Sequence, residues 1–373
     1  MKLLINTSNL KKGGAIQVAH SFLNEIKTNA KHDFHVVLSL IISKQITTAE
    51  YPSNFKFYEY THKQKFISIV NGRDKFLDKL ESELSPDCVL SIFGTAGWRP
   101  KAPHIMGIAN GWWYYPDSPA WNKLSLIDKC SKKIAHKIRK KQAKKEASHI
   151  VVETNDAKQR VNKYLNIPLD NISVVSNTYN QVFDNINGIF NNNNDNKCDT
   201  FKLITVSEYY THKNLEFIQA IASRLTKNDN IIFYVTLRDE VFNSLFTDTS
   251  NIRNLGHIKI ERLPDIYSQI DAAFIPTLME TFSASYPEAM KMGKPILTSD
   301  LSFAHDICGD AALYFTPSDI DDTLDKIKTL INSHSLQNKL KLNGFAQLSK
   351  FETSASRAQK YLEICESIIK KLS

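Results

Sequence analysis

"DAAFIPTLMETFSASYPEAMKMGKPILTSD", residues 271–300, decides the fold of this chain. "DAAFIP" and "KPILTSD" are apolar runs of strand length. Between them Ser285, Pro287 and Glu288 are helix-start residues and Gly293 is a stop. The stretch therefore reads strand, loop, helix, strand, the repeating unit of a parallel sheet. Glu280 falls in the loop after the carboxyl end of the first strand, and Glu288 about one turn into the helix. The loop Thr281, Phe282, Ser283, Ala284, Ser285 directs the free N–H groups and positive end of that helix to the same place, which suits phosphate oxygens. A carboxylate there repels phosphate and accepts from hydroxyls instead, so ribose and sugar hydroxyls are the natural partners of both glutamates. The plainer alternative is that Glu288 complements the helix dipole and Glu280 is solvated.

Outward from this stretch the same alternation covers the chain. "KLLIN" (2–6), "FHVVLSL" (34–40), "DCVLSIF" (87–93), "HIMGIAN" (104–110), "HIVVET" (149–154) and "NISVVSN" (171–177) read as strands in the first half. "AIQVAHSFLNEI" repeats apolar residues at helical spacing after the first of them. "FKLITV" (201–206), "NIIFYVTL" (230–237), "NIRNLG" (251–256), "DAAFIP", "KPILTSD" and "AALYFT" (311–316) form a second series. Between the series lies an Asn- and Asp-rich stretch with little apolar pattern, a linker or loop. We expect an α/β protein of two doubly wound, Rossmann-like domains facing across a cleft. Residues 1–180 are expected to form the first domain, 181–199 the linker and 200–352 the second domain. A helix at 353–373 is expected to cross back to the first domain. Such sheets bind ligands at the carboxyl ends of their strands.

At 373 residues the chain can build two ordinary cores, and its formal charge of +8 favours anionic partners. No apolar run approaches the ~20 residues of a membrane span, and the start is too weakly apolar for a signal peptide, so a cytoplasmic protein is expected. The five cysteines are scattered, without metal-ligand spacing, and read as reduced and structural. "DID" at 319–321 is explained by helix-start acids rather than a metal.

"PTLMETFSASYPEAMKMGKPILTSD" (276–300) resembles the donor-binding signature of the retaining glycosyltransferase family four, of GT-B architecture. There, two glutamates separated by seven residues precede Ala-Met, a Gly, a Pro and a strand, here Glu280, Glu288, Ala289, Met290, Gly293 and Pro295. The resemblance implies Glu288 on the ribose and Glu280 on the donor sugar, with no metal and no cofactor. Ser283 stands where the family carries glycine. Gly13 and Gly14, between the first strand and helix, match a family pair near the leaving phosphate and acceptor, and a tight turn is the bland reading. In "ITVSEYYTHKNLEFI" (204–218) Lys213 aligns with the family lysine that neutralises the diphosphate, while Glu208 occupies the arginine position and Ser207 the glycine. Charge must then come from Lys213 with the helix end, or from a relocated Arg238. Glu280 and Lys213 are thus the expected catalytic pair.

Asn110, Trp112 and Trp113 follow a strand where relatives hold a histidine, and read equally as acceptor or sugar contacts and as wall. Residues 132–145 hold eight Lys or Arg without an acid. That stretch reads as a solvated helix face or as a face docking on anionic lipid. No nucleic-acid-binding motif accompanies it, so no nucleic acid is expected. A general likeness of "FGTAGWRPKAPHIMG", "YYPDSP" and "EYYTHKN" to bacterial surface-polysaccharide enzymes implies a glycan acceptor on an undecaprenyl diphosphate carrier. The protein would then be peripheral at the inner face of the cytoplasmic membrane. The resemblance thus implies transfer of a hexose, with retention, from a nucleoside diphosphate sugar to a hydroxyl of a growing glycan. Its two rivals are a nucleotide-sugar epimerase or hydrolase, and a degenerate transferase kept as a scaffold, an idea that Glu208 and Asn110 feed.

Overall fold

The computed structural model describes residues 1–11, 13–61, 73–184 and 200–372. Of the linker expected at 181–199, Gln181–Asp184 forms a 3-10 turn, and the remainder lies outside the described residues.

Strand runs bounded by helices pair side by side, and every pairing among the described residues is parallel. The first sheet contains β1 (Lys2–Asn6), β2 (Asp33–Ser39), β3 (Phe55–Tyr60), β4 (Cys88–Ser91), β5 (His104–Gly107), β6 (His149–Val152) and β7 (Ile172–Val174), in the order β3-β2-β1-β4-β5-β6-β7. The second contains β8 (Phe201–Thr205), β9 (Ile231–Val235), β10 (Ile252–Asn254), β11 (Ala272–Ile275), β12 (Ile296–Ser299) and β13 (Ala312–Phe315), in the order β10-β9-β8-β11-β12-β13. Both are doubly wound, Rossmann-like sheets. In the first, the direction of winding reverses between β1 and β4; in the second, between β8 and β11. Those two reversals are where an open parallel sheet leaves a crevice for a ligand.

The edge strand β3, "FKFYEY", is absent from the strands expected above. Its Lys56 and Glu59 are exposed between aromatics, so it shows no continuous apolar run.

The chain divides into two units. Unit 1 holds residues 1–116, 126–177 and 352–373, and unit 2 holds 117–125 and 178–351. The core of unit 2 is built around Phe274, which meets Phe233 edge-on and stacks on Phe315, each with centroids 5.3 Å apart. Segment 117–125 is tied into unit 2 by Ser118 Oγ, which donates to the Leu278 carbonyl at 2.6 Å.

The last helix, Ser354–Leu372, belongs to unit 1 because its Ala358, Tyr361, Leu362, Cys365 and Ile368 face the same core as β1 and β4. Tyr361 packs edge-on to Phe22 at 5.7 Å. The guanidinium of the buried Arg357 donates to Asn177 Oδ1 and, at 2.9 Å, to Ser21 Oγ. Tyr361→Ala should therefore destabilise unit 1 by about 3 kcal/mol, the usual cost of emptying a buried aromatic position. A urea titration would show it as a lowered midpoint. Among the described residues no helix is long and apolar enough to cross a membrane. Cys88, Cys130, Cys308 and Cys365 are free thiols, and Cys198 lies outside the described residues.

Candidate functional site

At the reversal in unit 2, the loops that follow β8 and β11 are laced together by their backbones. The Leu278 N–H donates to the His212 carbonyl at 2.7 Å, and Thr277 Oγ1 donates to the same carbonyl at 3.1 Å. Asn214, fully buried and in the left-handed region at φ +54°, turns the chain after the 3-10 segment Thr211–Lys213. Asparagine tolerates that conformation better than most residues. Its Nδ2 reaches the Pro276 carbonyl at 3.3 Å. This lacing brings Lys213 Nζ onto Glu280 Oε1 as an ion pair whose side chains are 17% and 9% exposed. Thr277 Oγ1 also lies 3.1 Å from that oxygen, so its single hydrogen is shared between the carboxylate and the His212 carbonyl. An ammonium has three donors, and Glu280 takes one of them. A cation with hydrogens to spare thus stands at the carboxyl edge of the sheet.

Residues 281–285 carry the chain from Glu280 into the helix Ser285–Lys291, which no side chain caps. Thr281 and Ser283 are buried, and Phe282 packs edge-on against Phe351 at 5.4 Å. Ser285 Oγ donates to the Val206 carbonyl at 3.1 Å, tying the helix start to the end of β8. Ser283 is not among the residues at positive φ, so the backbone there has no need of the glycine the resemblance led us to look for.

Glu288 is 4% exposed, and its carboxylate has no hydrogen bond or ion pair among the described residues. Burial alone pushes its pKa up from 4.5 to about 7. Buried carboxylates are ordinarily paired. One left without a protein partner keeps its capacity to accept hydrogen bonds.

Glu208, at the arginine position, lies 3.8 Å from Arg238 Nη2 and 3.6 Å from His257 Nδ1. All three are largely exposed, so these contacts contribute at most ~1 kcal/mol. Arg238 stands with Glu208 rather than with Lys213 and Glu280. Asp319 N-caps the helix Ile320–Ile331 by accepting from the Asp322 N–H at 3.0 Å, which accounts for the "DID" sequence. Among the described residues no group of His, Cys, Asp and Glu is arranged to hold a metal ion.

In unit 1, Gly13 sits at φ +77° before the helix Gly14–Glu25. That conformation explains glycine at 13, whereas a Cβ at Gly14 would meet nothing within 4 Å. Asn110 and Trp113 line a cavity at the carboxyl ends of β1, β4 and β5. Trp112 instead carries Lys132 Nζ 4.6 Å above its ring. The same cavity is lined by Lys11, His136 and Arg139, which sequence reasoning passed over. The last two lie inside the basic run and have no marker there beyond being its one histidine and its one arginine. That run forms the helix Leu126–Glu146. Its Leu126, Ile127 and Ile134 are 79%, 82% and 64% exposed among the lysines.

Comparison with known proteins agrees with the fold. Residues 200–333 match the family model described as "Glycosyl transferases group 1". O-antigen chain mannosyltransferase B of Escherichia coli is 30% identical over 100 residues, 27% of this chain and 26% of that protein. O-antigen chain mannosyltransferase RfbU of Salmonella typhimurium is 22% identical over 231 residues, 58% of this chain and 57% of that one. The chain thus matches about a quarter and somewhat over half the length of these relatives. The crystal structure of Anabaena HepE in complex with UDP and glucose superposes with a TM-score of 0.69 at 12% identity, covering 98% of this chain and 99% of that one. At that identity the likeness is one of fold.

Proposed function

With residues 200–333 a glycosyl transferases group 1 domain in a chain of GT-B fold, we propose that the protein is a retaining, metal-independent hexosyltransferase. It moves a hexose from a nucleoside diphosphate sugar to a hydroxyl of a glycan acceptor in O-antigen or lipopolysaccharide assembly. The observation that carries this reading is Glu288, a buried carboxylate without a protein partner among the described residues, on the helix that follows the loop of the Lys213–Glu280 pair. The relatives' names and the glucose held by HepE are all of hexoses, which supports the sugar class.

Unit 2 holds the donor. Glu288 accepts from the ribose hydroxyls, and the backbone of Thr281–Ser285 lies along the diphosphate. As the bond between the anomeric carbon and the diphosphate oxygen breaks, negative charge grows on that oxygen. Lys213 offsets the charge with the donors that Glu280 leaves free. Glu280 orients the sugar and faces the positive charge that develops at the anomeric carbon. The acceptor oxygen forms the new bond to the anomeric carbon and gives up its proton to the departing diphosphate oxygen.

The exposed apolar residues of the helix Leu126–Glu146, set among lysines, suit a peripheral contact with anionic lipid near an undecaprenyl diphosphate carrier. Glu208 is an ill-placed charge, because a carboxylate weakens a diphosphate site, and it stands 3.8 Å from Arg238. Glu208→Gln should tighten nucleoside diphosphate binding about 2- to 5-fold, the range an exposed charge allows, read by calorimetric titration. The transfer reading is tested by incubating the protein with nucleotide sugars and an extracted lipid-linked glycan and following the product by NMR. A new glycosidic signal with the donor's anomeric configuration is expected. An inverted signal would end the retaining assignment, and epimerised or hydrolysed donor without transfer would end the transferase reading.

A further inference from the structure

The reversal in unit 1 has a chemistry of its own. Between the carboxyl ends of β1, β4 and β5 and the helix Leu126–Glu146 lies a cavity of about 370 Å³, within the size range of small-molecule sites. Asn9 enters it with its amide orientation fixed. Nδ2 donates to the Phe93 carbonyl at 2.7 Å and to the Thr95 carbonyl at 3.0 Å, so both of its hydrogens are spent. Gly94, at φ +86°, permits this approach, since a Cβ there would stand 2.8 Å from that nitrogen. Asn9 Oδ1 is left buried without a hydrogen bond among the described residues, and so is Asn110 Oδ1 on the far wall. Two buried acceptors without donors call for a hydroxyl-bearing occupant.

The charge on the wall is one-sided. Lys11 and Arg139 are cations, and no acidic residue lines the cavity among the described residues. Arg139 is half buried and spends one of its five donors on Thr95 Oγ1 at 3.1 Å. Its nearest carboxylate influence is Glu146, which accepts from the Ala96 N–H at 3.1 Å and is not among the lining residues. Burial pushes Glu146 up to about 7, so it offsets the guanidinium only in part near neutral pH. His136 is pushed down to about 4 by burial and by Lys132, Lys140 and Arg139, so it adds polarity without charge. Trp113, 4% exposed, supplies an aromatic wall.

We propose that this cavity binds a sugar unit carrying an anionic group, a phosphate or a uronate carboxylate, with the anion on Arg139 and Lys11 and sugar hydroxyls on Asn9 and Asn110. Taking that sugar to be part of the acceptor rests on the transfer reading above; the binding itself does not. An arginine matches the two oxygens of such an anion in a way that a lone ammonium does not.

The test is ligand-observed NMR titration of the full chain with glucose 6-phosphate, glucuronate, glucose and inorganic phosphate. Wild type, Arg139→Gln and the exposed-site variant Lys11→Gln are compared, with nucleoside diphosphate binding followed in the same samples. At least one charged sugar should bind 10-fold or more tighter than both glucose and inorganic phosphate. The phosphate and uronate arms distinguish the two sources of the anion. Arg139→Gln should remove the preference and Lys11→Gln reduce it, with nucleotide affinity unchanged in both. Glucose binding as well as the charged sugars, phosphate binding as well as glucose 6-phosphate, no binding by any probe, or a preference intact in Arg139→Gln would each overturn the proposal. Loss of nucleotide binding in wild type would instead count against the transferase reading.

Discussion

Lys213→Ala is expected to lower the turnover of hexose transfer by ~10²–10³, the usual cost of deleting one preorganised donor to a developing anion, while donor affinity changes much less. Lys213 is held in an ion pair with Glu280, the two side chains being 17% and 9% exposed. In so dry a place the ammonium would act on a leaving diphosphate with little screening. The dryness also complicates the experiment, because removing one member of a buried pair strands the other charge at a cost of ~3–5 kcal/mol. A loss of activity by Lys213→Ala alone could then reflect unfolding. The double variant Lys213→Met with Glu280→Gln removes both charges, so it should recover most of the lost stability and none of the lost turnover. Steady-state kinetics beside a urea titration of both variants separates the two effects. Turnover that returns with stability would show that Lys213 only holds the loop.

Glu288 gives the second large effect, on binding rather than on turnover. Its carboxylate is buried and without a protein partner among the described residues. Hydrogen bonds from ribose hydroxyls to it should therefore contribute about 1.5–3 kcal/mol. Glu288→Ala is expected to weaken nucleoside diphosphate binding by about 10- to 150-fold. The same burial predicts a pH dependence of definite sign. The folded-state pKa is raised from 4.5 to about 7, so the folded state holds a proton that the unfolded chain has released. Stability is then lost as pH rises between those values, by about 3 kcal/mol. Glu146 is raised to about 7 as well and contributes in the same direction. The difference between wild type and Glu288→Gln isolates Glu288: without ligand, the variant should lose less melting temperature from pH 5 to pH 8. Donor binding in wild type should strengthen over that range as the carboxylate ionises.

Much of this was legible in the amino-acid order, for physical reasons. β11, the helix Ser285–Lys291 and β12 could be placed because short apolar runs, helix-start residues and Gly293 all agreed. Once that alternation is read along the chain, two parallel sheets follow. Residues after β8 and β11 could be expected to meet, since neighbouring strands present their carboxyl ends together, as Lys213 and Glu280 do. Side-chain pairing between distant segments was beyond reach. Nothing local says that Glu208 would stand with Arg238 and His257, or that Asn9 would spend both amide hydrogens on the loop after β4. β3 escaped because its exposed Lys56 and Glu59 interrupt the apolar signal of an edge strand. Arg139 was hidden by its own neighbourhood, as one cation in a run of lysines, and only the fold sets it at the wall of a cavity.

The measurement that tests the central claim most directly is a thermal-shift panel of UDP, GDP, ADP and CMP with their common sugars on wild type and Glu288→Ala. A ligand of the folded state at 100 times its dissociation constant stabilises it by about 2.7 kcal/mol. The account predicts a rise in melting temperature with one nucleoside diphosphate and its sugar in wild type, and loss of that rise in Glu288→Ala. No rise across the panel, or a rise equal in both proteins, would contradict it.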